Sequence, residues 1–441
     1  MTELFSDIIY VQISCLHDFY RTLRKYGDYL LLTSFWFIVS YMFVSCNDKR
    51  EMLHHKFIPV ESTVGNYNIL NLSDFVMEIR YIPLETNDSV LIARISEINC
   101  ENEQILIKDI YGLSYNCYLF DNNGKFYCKV GQRGQGPDDY NFLQQAFIHG
   151  DSIFLMDRNK MLIYDTHGIL VDNINFQSVE TPSKYRGANY MSNIFPVKKN
   201  TYIMNGATMD KYYPRAILFE TVQSDVRILK EYPNVKLEKV VPHVSSDEIG
   251  IMYRCKDDVR LYKVWQDTVF TVDQNMEMKD AFIFQLGRFK PVPNFQADML
   301  MQAAGRNRYI FPEKMVESRT HLFIQFSFGD HAPEPFDCIS NLGNQSINQH
   351  VYGIFEKNTG KLTLLKQPVK GKLGFKNDID HGPVIWPHYI SSKNELVTYV
   401  SVEEFIDCYN KIEKPAPHLT ELAKKIKSDD NQIVIVSKLI E

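Results

Sequence analysis

From residue 75 onward, apolar and polar positions fall in short runs broken by Gly, Pro, Asn and Asp, the pattern of β-strands separated by turns. One hairpin recurs. It reads LFDNNGKFYCKVG at 119–131, IYDTHGILVDNI at 163–174, LFETVQSDVRIL at 218–229, FTVDQNMEMKDAFIFQLG at 270–287 and GIFEKNTGKLTLL at 353–365. Each copy carries an acidic residue just before its turn: Asp121, Asp165, Glu220, Asp273 and Glu356, spaced by 44, 55, 53 and 83 residues. Spacings near ~40–50 residues suit four-stranded propeller blades with loop insertions. Further strands precede the hairpins at 152–158, 201–206, 260–272 and 320–328. The long last interval holds a Pro-interrupted stretch, 289–311, expected as an insertion. A sixth, less regular unit has a strand at 395–401, one surface helix expected within 401–427, and a strand at 432–440. A ring of blades must close, because an open blade exposes a sheet edge; the strand at 75–84 is placed to complete the last blade. The expectation is an all-β fold: a six-bladed β-propeller of four-stranded antiparallel blades over residues 73–441. A β-sandwich also has many short strands, but it does not predict the same hairpin five times.

Composition narrows the function. The 441 residues carry 48 Lys plus Arg against 54 Asp plus Glu, a formal net charge of -6. No domain-wide basic footprint exists, so no nucleic-acid partner is expected. Apolar residues at 45% and charged residues at 23% support a sizeable core and exclude bulk disorder.

The amino terminus breaks the β pattern. Residues 29–44, YLLLTSFWFIVSYMFV, are sixteen uncharged positions, short for a spanning helix (~20 residues) and suited to the apolar core of a secretory signal. Arg21, Arg24 and Lys25 precede it, and Phe43-Val44-Ser45-Cys46 follows. That tetrapeptide resembles a bacterial lipobox, which implies cleavage before Cys46 and acylation of its sulfur. Residues 1–45 are then a leader whose first twenty-two positions exceed an ordinary signal, and 46–72 is a lipidated tether. An uncleaved signal anchor is the alternative. Six cysteines remain beyond Cys46, widely spread and without a C-x-x-C pair, so zinc sites of the usual spacing are absent. Cys117 and Cys128 flank the turn at 121–124. They face each other if Asn122-Asn123 forms the loop, and do not if Asn123-Gly124 forms it.

Four stretches carry a resemblance. GQRGQGPDDY at 131–140, YIPLET at 81–86, NDIDHGPVIWP at 377–387 and DNQIVI at 430–435 resemble the motifs of six-bladed β-propeller lipoproteins of Gram-negative gut-type bacteria, relatives of NHL-type propellers. The last departs from that pattern, with Gln432 where the family usually has proline. The resemblance spans roughly 75–440 and implies a propeller fold and a surface or periplasmic location facing outward from a bacterial membrane. It implies no established reaction.

The candidate site residues follow. A glycine-rich run such as 131–140 can present backbone N–H groups to an anion, although it lacks the Lys-Ser/Thr of a phosphate-binding P-loop. Arg133 is its first candidate for ligand contact and Tyr140 the second. The alternative is a structural turn between blades. Asp378, Asp380 and His381 offer two carboxylates and an imidazole, a set that suits a hard cation or, equally, an Asx-type turn; Asp380 and His381 are retained as ligand-binding candidates and no metal or other cofactor is expected. Trp386 stacks on a sugar if exposed at the channel mouth, or packs in the core. Arg254 points into the channel or pairs on the surface. No G-x-S-x-G or H-E-x-x-H motif occurs, so no catalytic residue is assigned. The functional expectation is a lipid-anchored binding or interaction module for a glycan, peptide or envelope protein. A propeller hydrolase or lyase acting on a saccharide or ester, with or without a metal, is the alternative. Replacing Cys46 with Ser is expected to leave the protein unacylated and released from membranes; unchanged membrane retention contradicts the anchor.

Overall fold

The recurring hairpin is the outer half of a blade. In the computed structural model, residues 56–440 are described, except 113, 158–159, 176–190, 207–214, 223–224, 234–249, 264–265, 292–306 and 340–344. Cys46 and the apolar segment before it lie outside the described residues. Blade 1 has strands Ile95–Glu101, Gln104–Tyr111, Ser114–Asp121 and Phe126–Lys129. Blade 2 has Gln145–His149, Ser152–Met156, Lys160–Asp165 and Leu170–Asn175. Blade 3 has Met191–Lys198, Thr201–Gly206, Ala216–Val222 and Asp225–Tyr232. Blade 4 has Ile251–Cys255, Asp258–Tyr262, Thr268–Val272 and Met278–Phe284. Blade 5 has Phe311–Glu317, His321–Ser327, His350–Glu356 and Lys361–Leu365. Blade 6 has Tyr389–Ile390, Glu395–Val400 and Ile433–Leu439, completed by Val76–Pro83. The first strands of successive blades are neighbours all the way round, including blade 6 with blade 1, which makes them the inner strands of a closed ring.

The acidic residue before each turn has a local cause. Asp121 Oδ1 accepts the N–H groups of Asn123 (2.8 Å) and Lys125 (2.9 Å). Asp165 does the same for His167 and Ile169 (both 2.9 Å), and Asp273 for Asn275 (2.9 Å) and Glu277 (3.0 Å). The carboxylate replaces the backbone partners that a reversing chain loses. Cys117 and Cys128 are free. Leu119, not Cys117, stands opposite Cys128: neither two-residue loop forms, because Asp121 bonds Lys125 across a three-residue Asn122-Asn123-Gly124 loop and the register shifts between Phe120 and Leu119.

The core lies between blades rather than inside one sheet. The middle strands are buried on both faces, as in Ile105-Leu106-Ile107 and Val434-Ile435-Val436, all at most 1% exposed. One cluster joins Ile82, Val397 and Val434 of blade 6 to Ile98, Ile107 and Phe120 of blade 1. The closing strand pairs antiparallel with the last one, Val434 opposite Ile82 and Ile435 opposite Tyr81. The flanking motifs lock this closure. Glu85 accepts the Phe126 N–H (2.8 Å), and Asn431 donates to the Glu85 carbonyl (2.7 Å) while accepting the Ile92 N–H (2.8 Å). Gly124 lies so close that a Cβ there would sit 2.2 Å from the Pro83 carbonyl oxygen.

Two sequence expectations need correction. The described part of the expected tether is a strap, not a patternless linker. Phe57–Ile58 adds a parallel strand outside blade 4 and Tyr67–Asn68 one outside blade 5, before Val76–Pro83 enters blade 6. Ile58, Val60 and Leu72 are fully buried. Two-residue pairings have no periodicity to read, but they cover edges that would otherwise pair with another chain. The single helix expected within 401–427 is two, Val402–Tyr409 and Pro417–Lys425. Ser401 caps the first through the Glu404 N–H (3.1 Å). Pro417 starts the second and holds Ala416 extended, with ψ 148°. The long interval before the fifth hairpin includes an inserted hairpin, Phe336–Ile339 with Gln345–Asn348.

Candidate functional site

Strand direction sorts the connections. Links between blades, and links between the second and third strands of a blade, emerge at one end of the inner strands, here termed the loop face. First-to-second-strand turns emerge at the other, the turn face. The turn face is a ring of short polar turns that hold each other: Asn102 donates to the Gly150 carbonyl (2.6 Å), and Glu101 accepts the Tyr389 hydroxyl (2.6 Å) and the Ser392 N–H (2.8 Å).

Buried polar contacts join neighbouring blades near the inner strands. Between blades 1 and 2, Glu97 accepts the Ala146 N–H (3.0 Å) and pairs with Lys108 (2.6 Å). Between 2 and 3, Gln145 accepts the Ile194 N–H (3.0 Å); between 3 and 4, Asn205 donates to the Gly250 carbonyl (3.0 Å). Between 4 and 5, the fully buried Glu317 side chain takes Arg260 (2.9 Å and 3.1 Å) and Lys357 (2.7 Å). Burial pushes the Glu317 carboxyl up, but Arg260 and Lys357 outweigh it and hold the group at about 2. Between 5 and 6, Asn394 accepts the Arg319 N–H (3.2 Å), and between 6 and 1 Tyr399 donates to the Ile95 carbonyl (2.9 Å).

Arg254 lies one residue before the end of the inner strand of blade 4, at the turn face. It donates to the carbonyls of Pro196 and Asp257, reaching blade 3 as well as its own turn. His149, the last residue of the inner strand of blade 2, is held down to about 4 by burial and then by the Arg254 guanidinium. His388, entering the inner strand of blade 6, keeps exposed surface; it is shifted in the same direction, by desolvation from the surrounding protein and then by Lys314 of blade 5. Its Nδ1 lies 2.8 Å from Thr398 Oγ1.

The other candidates lie on loop-face links and do not converge with Arg254. In the 131–144 link the backbone does cradle an anion, and the anion is its own Asp139. That carboxylate accepts the Gly136 N–H (2.9 Å) and the Gln132 amide (2.8 Å), and a Cβ on Gly134 would sit 2.1 Å from its Oδ2. Tyr140 is fully buried and donates to the Tyr115 carbonyl (3.2 Å). Arg133 is exposed, with its guanidinium 5.6 Å from the Tyr115 ring centre.

In the 366–388 link, Asp378 and Asp380 serve different partners. Asp378 takes the Ser73 N–H (3.0 Å) and hydroxyl (2.6 Å), pinning the strap. Asp380 accepts Asn377 (2.7 Å), the Gly382 N–H (2.9 Å), Tyr81 (3.2 Å) and His418 (3.0 Å), tying together the link, the closing strand and the second helix. His381 is exposed at φ 61°. Trp386 is 8% exposed and stacks on Tyr352, centroids 4.4 Å apart. Among the described residues, no group of three or more His, Cys, Asp or Glu side chains is placed to hold a metal. The sequence reading did not select Glu101, His149, Tyr389 or Glu317. Their shared position near the ends of inner strands was the available signal, but it emerges only once the six units are aligned strand by strand.

A closed ring of six four-stranded blades, with one face of interlocked turns and one of long links, defines a six-bladed β-propeller. The chain belongs to the family described as Domain of unknown function (DUF4934), whose model matches residues 55–438. A crystal structure of a Bacteroides fragilis protein, described as a candidate exported protein, is similar at 17% identity and TM-score 0.61, covering 85% of this chain and 98% of that one. A member of the DUF4221 family from Bacteroides vulgatus is similar at 10% identity and TM-score 0.48, covering 85% and 99%. A search of curated proteins found no match.

The site chemistry makes a stability prediction. His149 and His388 have folded-state values below the unfolded ~6.5, so the unfolded chain binds more protons beneath that pH. Their contribution is present above pH ~6.5 and is lost as pH falls, for His149 toward about 4. Urea unfolding across this window should show stability falling on acidification, with a shallower fall in His149→Gln; an unchanged slope contradicts the assignment. Glu317→Gln leaves two buried cations with a neutral partner and should cost about 3–5 kcal/mol.

Proposed function

We propose that this chain is a lipid-anchored, extracytoplasmic binding module whose loop face holds a glycan, peptide or envelope-protein partner. The observation that carries the reading is the difference between the two faces. The turn face spends its polar groups on itself. The loop face carries the links 84–94, 130–144 and 366–388 and the inserted hairpin Phe336–Ile339 with Gln345–Asn348, and carboxylates hold them: Asp139 and Asp380 bond backbone N–H groups of their own links, Asp157 holds the 130–144 link from outside it, and Asp378 ties the 366–388 link to the strap. Links fixed before a partner arrives lose little entropy on binding, which favours recognition.

The anchor is supported by the lipobox at Cys46. Nine residues separate Cys46 from Lys56, so at ~3.3–3.6 Å per residue the strap starts within roughly 36 Å of the lipidated sulfur. Acyl chains contribute ~0.8 kcal/mol per buried CH₂. The net charge of -6 accords with a partner other than nucleic acid.

The test is a binding screen of the purified full chain in detergent against polysaccharides, peptides and envelope proteins. Saturable binding to one class is expected. Arg133→Ala, on the loop face, should weaken it at least several-fold with unchanged melting temperature, while Lys199→Ala, in a turn-face loop of blade 3, should not. Binding lost through Lys199 and retained without Arg133 contradicts the reading.

A further inference from the structure

Between blades 4 and 5, on the loop-face rim, lies a cleft of about 340 Å³, within the lower part of the ~300–1,000 Å³ range of small-molecule sites. Its walls come from four separate parts of the chain. The strap supplies Val64 and Tyr67, the link leaving blade 4 supplies Arg288 and Phe289, and the approach to blade 5 and the turn after its second strand supply Arg308 and His331.

The floor is fixed and the cations stand above it. Phe289 is 4% exposed and meets the His331 ring edge-on, centroids 4.8 Å apart. His331 Nε2 lies 3.1 Å from the Arg308 carbonyl. A carbonyl only accepts, so Nε2 carries the proton and Nδ1 is the second ring nitrogen available to a ligand. The exposed Arg288 guanidinium lies 4.9 Å from the Phe289 ring centre. Among the described residues its acidic contact is a long one, 4.0 Å to Glu61, and Glu61 already accepts the Arg288 backbone N–H (3.0 Å). Among the described residues, no carboxylate forms an ion pair with Arg308. Arg288 over the Phe289 floor, with Arg308 and Tyr67 also lining the cleft, matches a ring-sized body carrying one anion: guanidinium groups bind carboxylate or phosphate bidentately, and an aromatic wall accepts the apolar face of a ring.

We propose that this cleft is a binding site for an acidic saccharide unit, a sugar ring bearing one carboxylate or one phosphate, held by Arg288 and Arg308 with its ring against Phe289 and Tyr67. The proposal rests on the reading of the loop face as the binding face and gives that face a ligand class. The strap completes the site, so the segment that covers the edges of blades 4 and 5 also builds a wall of it.

Calorimetric titration of the full chain in detergent with D-galacturonate, D-glucose 6-phosphate, D-galactose and inorganic phosphate tests it. At least one acidic sugar should bind saturably and at least tenfold tighter than galactose, and which one binds separates a uronic acid from a sugar phosphate. Arg308→Gln and Arg288→Gln should each weaken it at least tenfold with unchanged melting temperature, Arg308→Lys less so. Acidic sugars that bind no better than galactose overturn the proposal. So does inorganic phosphate binding as tightly as the sugars, or full affinity in both Gln variants. A partner that is lost with Arg133→Ala and retained in both Gln variants, when neither acidic sugar binds, would sink this site and leave the broader reading of the loop face standing.

Discussion

A four-stranded sheet that is apolar on both faces cannot stand alone in water; each face needs another sheet against it. Here that requirement is met only by closing the ring. Ile105, Leu119 and Val434 are completely buried because a neighbouring blade lies on each side. The closure falls on Val76–Pro83, which comes from the start of the domain and completes the blade that contains its end. Polar groups near the inner strands fix the angle at which the blades meet. Glu97, Gln145, Asn205, Glu317, Asn394 and Tyr399 each make such a tie to an adjacent blade. Gln145, Asn205, Glu317 and Asn394 are buried, so losing one partner there leaves the other unsatisfied, and these contacts specify geometry more than they add stability.

How much of this was legible follows from how local each feature is. The five hairpins were readable because Asp121, Asp165 and Asp273 do a job confined to their own turns. The sixth unit looked irregular because its fourth strand lies more than three hundred residues upstream in the chain, so no hairpin joins the two. The strap was unreadable, since parallel pairs of two residues carry no period. The break between the two helices was written in Pro415 and Pro417, which the expectation of one helix across 401–427 passed over. The loop motifs stood out in the sequence, but what they do locally depends on partners far along the chain. Asp378 meets Ser73, and Asp380 meets Tyr81. The glycine-rich run does bind a carboxylate, its own. The cleft between blades 4 and 5 left no trace in any window, because residues 64–67, 288–289, 308 and 331 meet only after folding.

The two faces therefore divide the work. The turn face and the inner strands hold the ring together, with His149, Arg254 and Glu317 among the groups whose charge states depend on that packing. The loop face builds on that ring and carries the long links, the inserted hairpin of blade 5 and the cleft between blades 4 and 5.

The most direct test of closure is disulfide trapping between the two ends of the domain. Residues 82 and 434 are register partners across the closing pair, whereas 82 and 437 are three positions out of step. In the full chain, Ile82→Cys with Val434→Cys should form an intramolecular cross-link under mild oxidation, and Ile82→Cys with Ser437→Cys should not. Cross-linking only between molecules, or equal cross-linking of both pairs, would contradict a ring closed by this strand.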